Sequence, residues 1–133
     1  MCRDIPDCES YIFRRIFPEH YIQDKKTLKY RISSQAYHHR KNEKNISIYV
    51  GRLIKENNET PLSVSDEKYG FKSAGTVGIE IQELQDPEYA IQETPSTSCP
   101  WHGQFTNRIE DSEAEFLVSV SNHWIKKPKD PDQ

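Results

Sequence analysis

An α+β fold, a small and mostly antiparallel sheet with a C-terminal helix packed on one face, is the architecture this sequence predicts. Three observations carry it. Short runs of alternating apolar and polar residues, rich in β-branched and aromatic side chains, recur between Gly, Pro and Asn turns. One stretch near the C-terminus pairs Ser112 with Glu115 as a capping box and continues with apolar residues at helical spacing. The 133 residues are one domain's worth of chain, without repeats or low-complexity blocks.

Residues 1–10 show no periodicity and read as an N-terminal arm. The run from Tyr11 to Phe17 is aromatic and β-branched, and Pro18 stops it, so a strand is expected. Leu28, Tyr30 and Ile32 alternate onto one face of a second strand, and Ser33-Ser34 is placed to cap a short helical turn through Ala36 and Tyr37. A turn over 42–45 leads to a third strand with Ile46, Ile48 and Val50 on one face, which Gly51 ends or bends. Thr60-Pro61 pairs an N-cap with a proline at the first helical position, predicting a short helix to about Lys68. The clearest strand puts Val77, Ile79 and Ile81 on one side and Gly78, Glu80 and Gln82 on the other. Asp86-Pro87 is a turn, Tyr89–Gln92 a short strand, 95–98 a polar loop and His102–Thr106 a further strand. The final helix would bury Ala114, Leu117, Val118, Ser121, Trp124 and Ile125, with Lys126 and Lys127 at the negative end of its dipole and Pro128 as its stop. The domain is therefore expected over 11–127, with a disordered tail at 128–133.

The apolar fraction is 34%, rising to about 38% with glycine, below the ~45–50% of soluble domains. A thin core follows. Fourteen aromatic residues and a net charge of only -3 exclude full disorder. No run approaches the ~18–20 apolar residues of a membrane span, and Met1–Asp4 lacks the apolar run of a secretory leader, so a cytoplasmic protein without membrane contact is expected.

Charge is unevenly spread. Residues 1–60 carry 12 Lys/Arg against 8 Asp/Glu, and 61–133 carry 6 against 13. Lys25, Lys26, Lys29, Arg31, Arg40 and Lys41, interleaved with Tyr30, Tyr37 and Tyr49, suit a nucleic acid, with cations on phosphates and rings on bases. The competing reading is that the opposite-sign halves pair within the fold or between subunits. An isoelectric point near 6.0 favours the second.

The reactive residue types concentrate in Cys99-Pro100-Trp101-His102. Cys99 and His102 have a spacing that fits one metal, and Cys2 and Cys8 would complete a zinc shell; otherwise no cofactor is expected. Alternatively Cys99 and His102 act as nucleophile and base, or Trp101 anchors the segment by packing while His102 hydrogen-bonds at a strand start. Gly70 to Thr76 has the glycine spacing of a phosphate loop, but Thr76 stands where the lysine is needed, which excludes that site. His38 and His39, adjacent in sequence, are on opposite faces if extended and cannot readily share a metal.

Taken together, Phe13-Arg14-Arg15-Ile16, Ser33-x-x-Ala36-Tyr37, Ile46-Ser47-Ile48 and Pro100-x-His102-x-x-Phe105 resemble an uncharacterised family of small bacterial proteins over roughly residues 11–125. In that family the last motif has Ala where this chain has Trp101. The resemblance implies an accessory member of a mobile or defence-linked gene set, acting through a partner. The same landmarks are similar to ADP-ribosyltransferase-like folds, including RNA 2′-phosphotransferase. That similarity implies a nucleotide site built from Arg14 or Arg15, Ser33 or Ser34, and Glu80 or His102, although the spacing of a catalytic glutamate motif is absent. On an extended strand only one of Arg14 and Arg15 can share a face with His102.

The leading expectation is a non-catalytic accessory protein engaging a protein partner or another copy of itself, since the chain lacks a complete catalytic set and is rich in tyrosine. The nucleotide-binding enzyme and the nucleic-acid module are the alternatives.

Overall fold

Alternation in Tyr11–Ile16, strand β1, sends Ile12 and Ile16 to one side and Tyr11 and Phe13 to the other, and all four are buried. A strand buried on both sides must be interior. In the computed structural model, which describes residues 5–38, 45–65, 75–84, 90–106 and 108–128, β1 pairs with β4 (Ser47–Val50) and β5 (Gly75–Glu80). Strands β6 (Ile91–Glu93), β7 (His102–Phe105) and β8 (His123–Lys126) complete a six-stranded sheet of order β6-β7-β4-β1-β5-β8, antiparallel throughout. A separate hairpin joins β2 (Tyr21–Gln23) to β3 (Tyr30–Ile32).

The fold is α+β. Helix α3 (Asp111–Val120) packs Ala114 and Leu117 against Ile12, Ile16, Ile48, Val77 and Ile79, with Tyr37 and the hairpin residues Tyr21 and Ile32 in the same cluster. The opposite face is covered too. Helices α1 (Gly51–Glu56) and α2 (Pro61–Val64) bring Leu53, Ile54 and Val64 onto Tyr11, Phe13, Trp101 and Ile125. The limited apolar content is thus divided between two small cores.

Several elements differ from expectation for identifiable reasons. The capping box of α3 is Glu110 with Glu113, two residues earlier than Ser112 with Glu115. The helix also ends at Val120, and Trp124 and Ile125 lie on β8 instead of extending its stripe. At this end the Ser121 hydroxyl donates back to the Leu117 carbonyl, while β8 finds backbone partners along the edge of β5, at Val77 and Gly78. Strand alternation then sends Trp124 to one core and Ile125 to the other. Lys126 consequently belongs to β8, opposite Thr76.

Leu28 does not share a strand face with Tyr30 and Ile32. It sits in the hairpin turn with φ 61° and is 68% exposed, because Asp24 Oδ1 accepts from the Lys26 and Thr27 amides and folds the chain before β3 begins. Ile81 likewise leaves its strand for a 3₁₀ turn over Ile81–Leu84. The arm is not featureless: Cys8–Ser10 is a 3₁₀ turn with Cys8 buried against α1. Gly51 permits that contact, since a Cβ there would lie 1.7 Å from the Cys8 carbonyl oxygen. Helix α2 ends at Val64, and Pro128 is buried ahead of the tail. The expected turns at 42–44 and Asp86-Pro87, residues 66–68, Tyr89 and positions 129–133 lie outside the described residues.

Candidate functional site

The two arginines of β1 point to opposite faces and are held differently. Arg14 donates through Nε to the Ala36 carbonyl at 3.1 Å and through its guanidinium to the Ser47 carbonyl, with its charge 6.0 Å from the centre of the Tyr37 ring. It fastens the 3₁₀ turn Ser34–Tyr37 to the sheet on the α3 side. Arg15 is 8% exposed. Its Nε and one terminal nitrogen donate to the Tyr49 hydroxyl at 3.3 and 3.1 Å, and it also reaches the Val64 carbonyl at 3.2 Å while lying over the Tyr49 ring. This guanidinium ties β1 to β4 and α2.

Strand register places Phe13 opposite Tyr49 and Tyr49 opposite His102, so Arg15 is the arginine on the face of His102. They are not on neighbouring strands, because β4 lies between. His102 Nδ1 is 2.6 Å from the Thr94 hydroxyl, a partner on the adjoining segment. Ser33 is an N-cap whose hydroxyl accepts from the Gln35 amide, and Ser34 begins the same turn, on the side of Arg14. Glu80 contacts His123 Nε2 at 3.2 Å and accepts from the Tyr11 hydroxyl at 3.5 Å. Burial, then the Glu80 and Asp7 carboxylates, push the Tyr11 phenol up. Three inter-strand steps separate β5 from β7, roughly 14 Å at strand spacing. The nucleotide-site set of Arg14, Arg15, Ser33, Ser34, Glu80 and His102 is therefore divided between two faces and opposite parts of the sheet.

The Cys99–His102 segment is a turn closed by the His102 amide on the Cys99 carbonyl at 3.2 Å, with Trp101 buried in the α1/α2 core. Burial pushes the Cys99 thiol up, against the opposing pull of the Trp101 amide and the Arg15 guanidinium. A raised thiol is a poor source of thiolate nucleophile. Cys8 is buried with its Sγ on the Gly51 carbonyl, and Cys2 lies outside the described residues. Among the described residues no group of three or more His, Cys, Asp or Glu is arranged to hold a metal. His38 Nε2 lies 3.6 Å from Asp111, while His39 and most of the glycine-spaced segment fall outside the described residues.

The basic segment divides more informatively. Arg52 pairs with Glu56 and Glu93, and Lys55 with Glu9. Arg31 pairs with Asp24, whose carboxyl is held below the usual range by the Thr27 and Lys26 amides and then by Arg31. Lys25, Lys26 and Lys29 are exposed around Leu28 at the hairpin tip and have no ion-pair partner among the described residues. Arg40 and Lys41 lie outside the described residues. Of the interleaved tyrosines, Tyr37 is fully buried and hydrogen-bonded to Ser121, Tyr49 holds Arg15, and Tyr30 stacks on Tyr21 at 5.4 Å.

Lys25, Lys26 and Lys29 were among the basic residues the sequence singled out, but the hairpin turn that carries them and the exposure of Leu28 were not. Asp24 ahead of a polar stretch, between Tyr21-Ile22 and Tyr30-Arg31-Ile32, was the available signal for a turn. Comparison with models of protein families, with curated proteins and with solved structures finds no match. Among the described residues no helix is long and apolar enough to cross a membrane.

Proposed function

We propose that the protein is a small non-catalytic interaction protein that engages an acidic surface of a protein partner through its β2–β3 hairpin. The observation that carries this is the tip itself. Three exposed lysines without described ion-pair partners surround a leucine that is 68% exposed and held at φ 61°. A bulky residue in that conformation costs on the order of 1 kcal/mol or more, and a large apolar group in water gains nothing from folding. Both features suit a contact made outside the chain. Dispersal of the nucleotide-site candidates between two faces supports a binding role over catalysis. Base stacking finds little support, since Tyr37 and Tyr49 are committed inside the fold.

Lysine acylation footprinting in native cell extract tests the proposal, with the highly diluted purified chain as reference. Lys25, Lys26 and Lys29 are expected to lose reactivity in extract while the exposed Lys127 does not. Equal reactivity in both samples overturns the hairpin reading. Protection that nuclease digestion abolishes identifies the acidic partner as nucleic acid and overturns the protein-partner reading.

A further inference from the structure

Helix α3 presents to solvent the opposite chemistry to that of the hairpin. Asp111 and Glu115 are four residues apart, as are Ser112 and Phe116, so these side chains with Ser119 form one exposed stripe opposite the buried Ala114 and Leu117. Glu115 has no ion-pair partner among the described residues, and Asp111 meets only His38, its own side chain 94% exposed. Three large apolar side chains are exposed among the described residues: Leu28 at 68%, Phe116 at 39% and Ile81 at 38%. One lies at the centre of the basic tip and one in the acidic stripe.

We propose that the acidic surface met by the hairpin is helix α3 of a second copy of this chain. Lys25, Lys26 and Lys29 of one protomer face Asp111 and Glu115 of the other, and Leu28 covers Phe116. The inference rests on the hairpin reading and adds the partner. Charge complementarity selects this occupant, because the same chain carries a loop whose three lysines have no ion-pair partner among the described residues and a helix face on which Glu115 has none and Asp111 meets only His38, each with an exposed apolar residue. The arrangement is also suited to closure. The base of the hairpin (Tyr21, Ile32) and α3 (Ala114, Leu117) belong to one core cluster on one side of the sheet. A two-fold axis on that side brings each hairpin to the partner's helix, forming the contact twice and leaving no surface for further growth.

The test is the mass of the purified full chain by light scattering or sedimentation across concentration. A dimer is expected at low ionic strength, weakened as salt shortens the screening length from about 10 Å at 0.1 M to about 3 Å at 1 M. Chain one carries Lys26→Glu and Lys29→Glu; chain two carries Asp111→Lys and Glu115→Lys. Each alone juxtaposes like charges and should self-associate at least about a hundredfold more weakly. Mixed, they should form a heterodimer, because the reversed hairpin then meets the reversed helix and the native hairpin the native helix. Recovery on mixing also shows that both chains are folded. A wild-type monomer at every concentration overturns the second copy as partner, while footprint protection in extract would still uphold the hairpin. A dimer indifferent to both reversals, or no recovery on mixing, overturns the proposed surface.

Discussion

Tyr37→Phe should reverse sign as the pH rises. The Tyr37 hydroxyl is fully buried and hydrogen-bonded to Ser121 Oγ, which itself donates to the Leu117 carbonyl at 2.6 Å. Tyr37 is therefore the donor to Ser121. At neutral pH its removal strands one acceptor site of Ser121 and costs about 1 kcal/mol, the usual net worth of such a bond. Burial pushes the Tyr37 phenol up from 10.0 to about 12, outweighing the opposing effects of Ser121 and Arg14. Below pH 10 both folded and unfolded states hold the proton and the stabilisation is complete. Between pH 10 and about 12 the unfolded chain ionises while the folded one does not, so stability falls by about 1.4 kcal/mol per pH unit, roughly 3 kcal/mol in all. Phenylalanine lacks this loss. Wild type should be the more stable protein at pH 7 by ~1 kcal/mol, the two should match near pH ~11, and the variant should be ahead at pH ~12. Urea unfolding followed by circular dichroism across this range measures the difference, and Tyr11, shifted in the same direction, is common to both chains. A wild-type advantage that stays constant to pH 12 would refute the burial of this hydroxyl.

Gly51→Ala would drive a Cβ to 1.7 Å from the Cys8 carbonyl oxygen and 2.7 Å from that of Tyr11, both backbone atoms; a loss above about 3 kcal/mol is expected from the urea midpoint. Arg15→Lys keeps the charge but cannot hold Tyr49 and Val64 together, so the melting temperature should fall by an amount equivalent to about 1–3 kcal/mol; an unchanged melting temperature would show that Arg15 is not a structural tie.

Several strands and two of the caps were legible in the sequence because their signals are local, although the capping box of α3 lies two residues earlier than expected. β4 and β5 follow from alternation between residues two positions apart, β1 from its aromatic and β-branched run stopped by Pro18, and Ser33 and Thr60 from side chains reaching amides two or three residues on. Such geometry is written within one turn of chain. The position of α3 was legible, but its end was not, because the helix yields to β8 only where β5 offers an open edge. Nor did alternation alone decide which arginine would share a face with His102: it separates Arg14 from Arg15 without saying what waits on either side. That depended on partners far along the chain, Ala36 for Arg14, Tyr49 and Val64 for Arg15, 22, 34 and 49 positions away. The exposure of Leu28 was hidden because alternation with Tyr30 and Ile32 fits a strand, until Asp24 folds the turn and sets the leucine outside the ladder. The sequence determined which segments could be strands and helices and where charge accumulates. The tertiary structure decided which charges remain in solvent and which become ties, because long-range pairing alone determines which polar groups lose water and must find partners inside the fold.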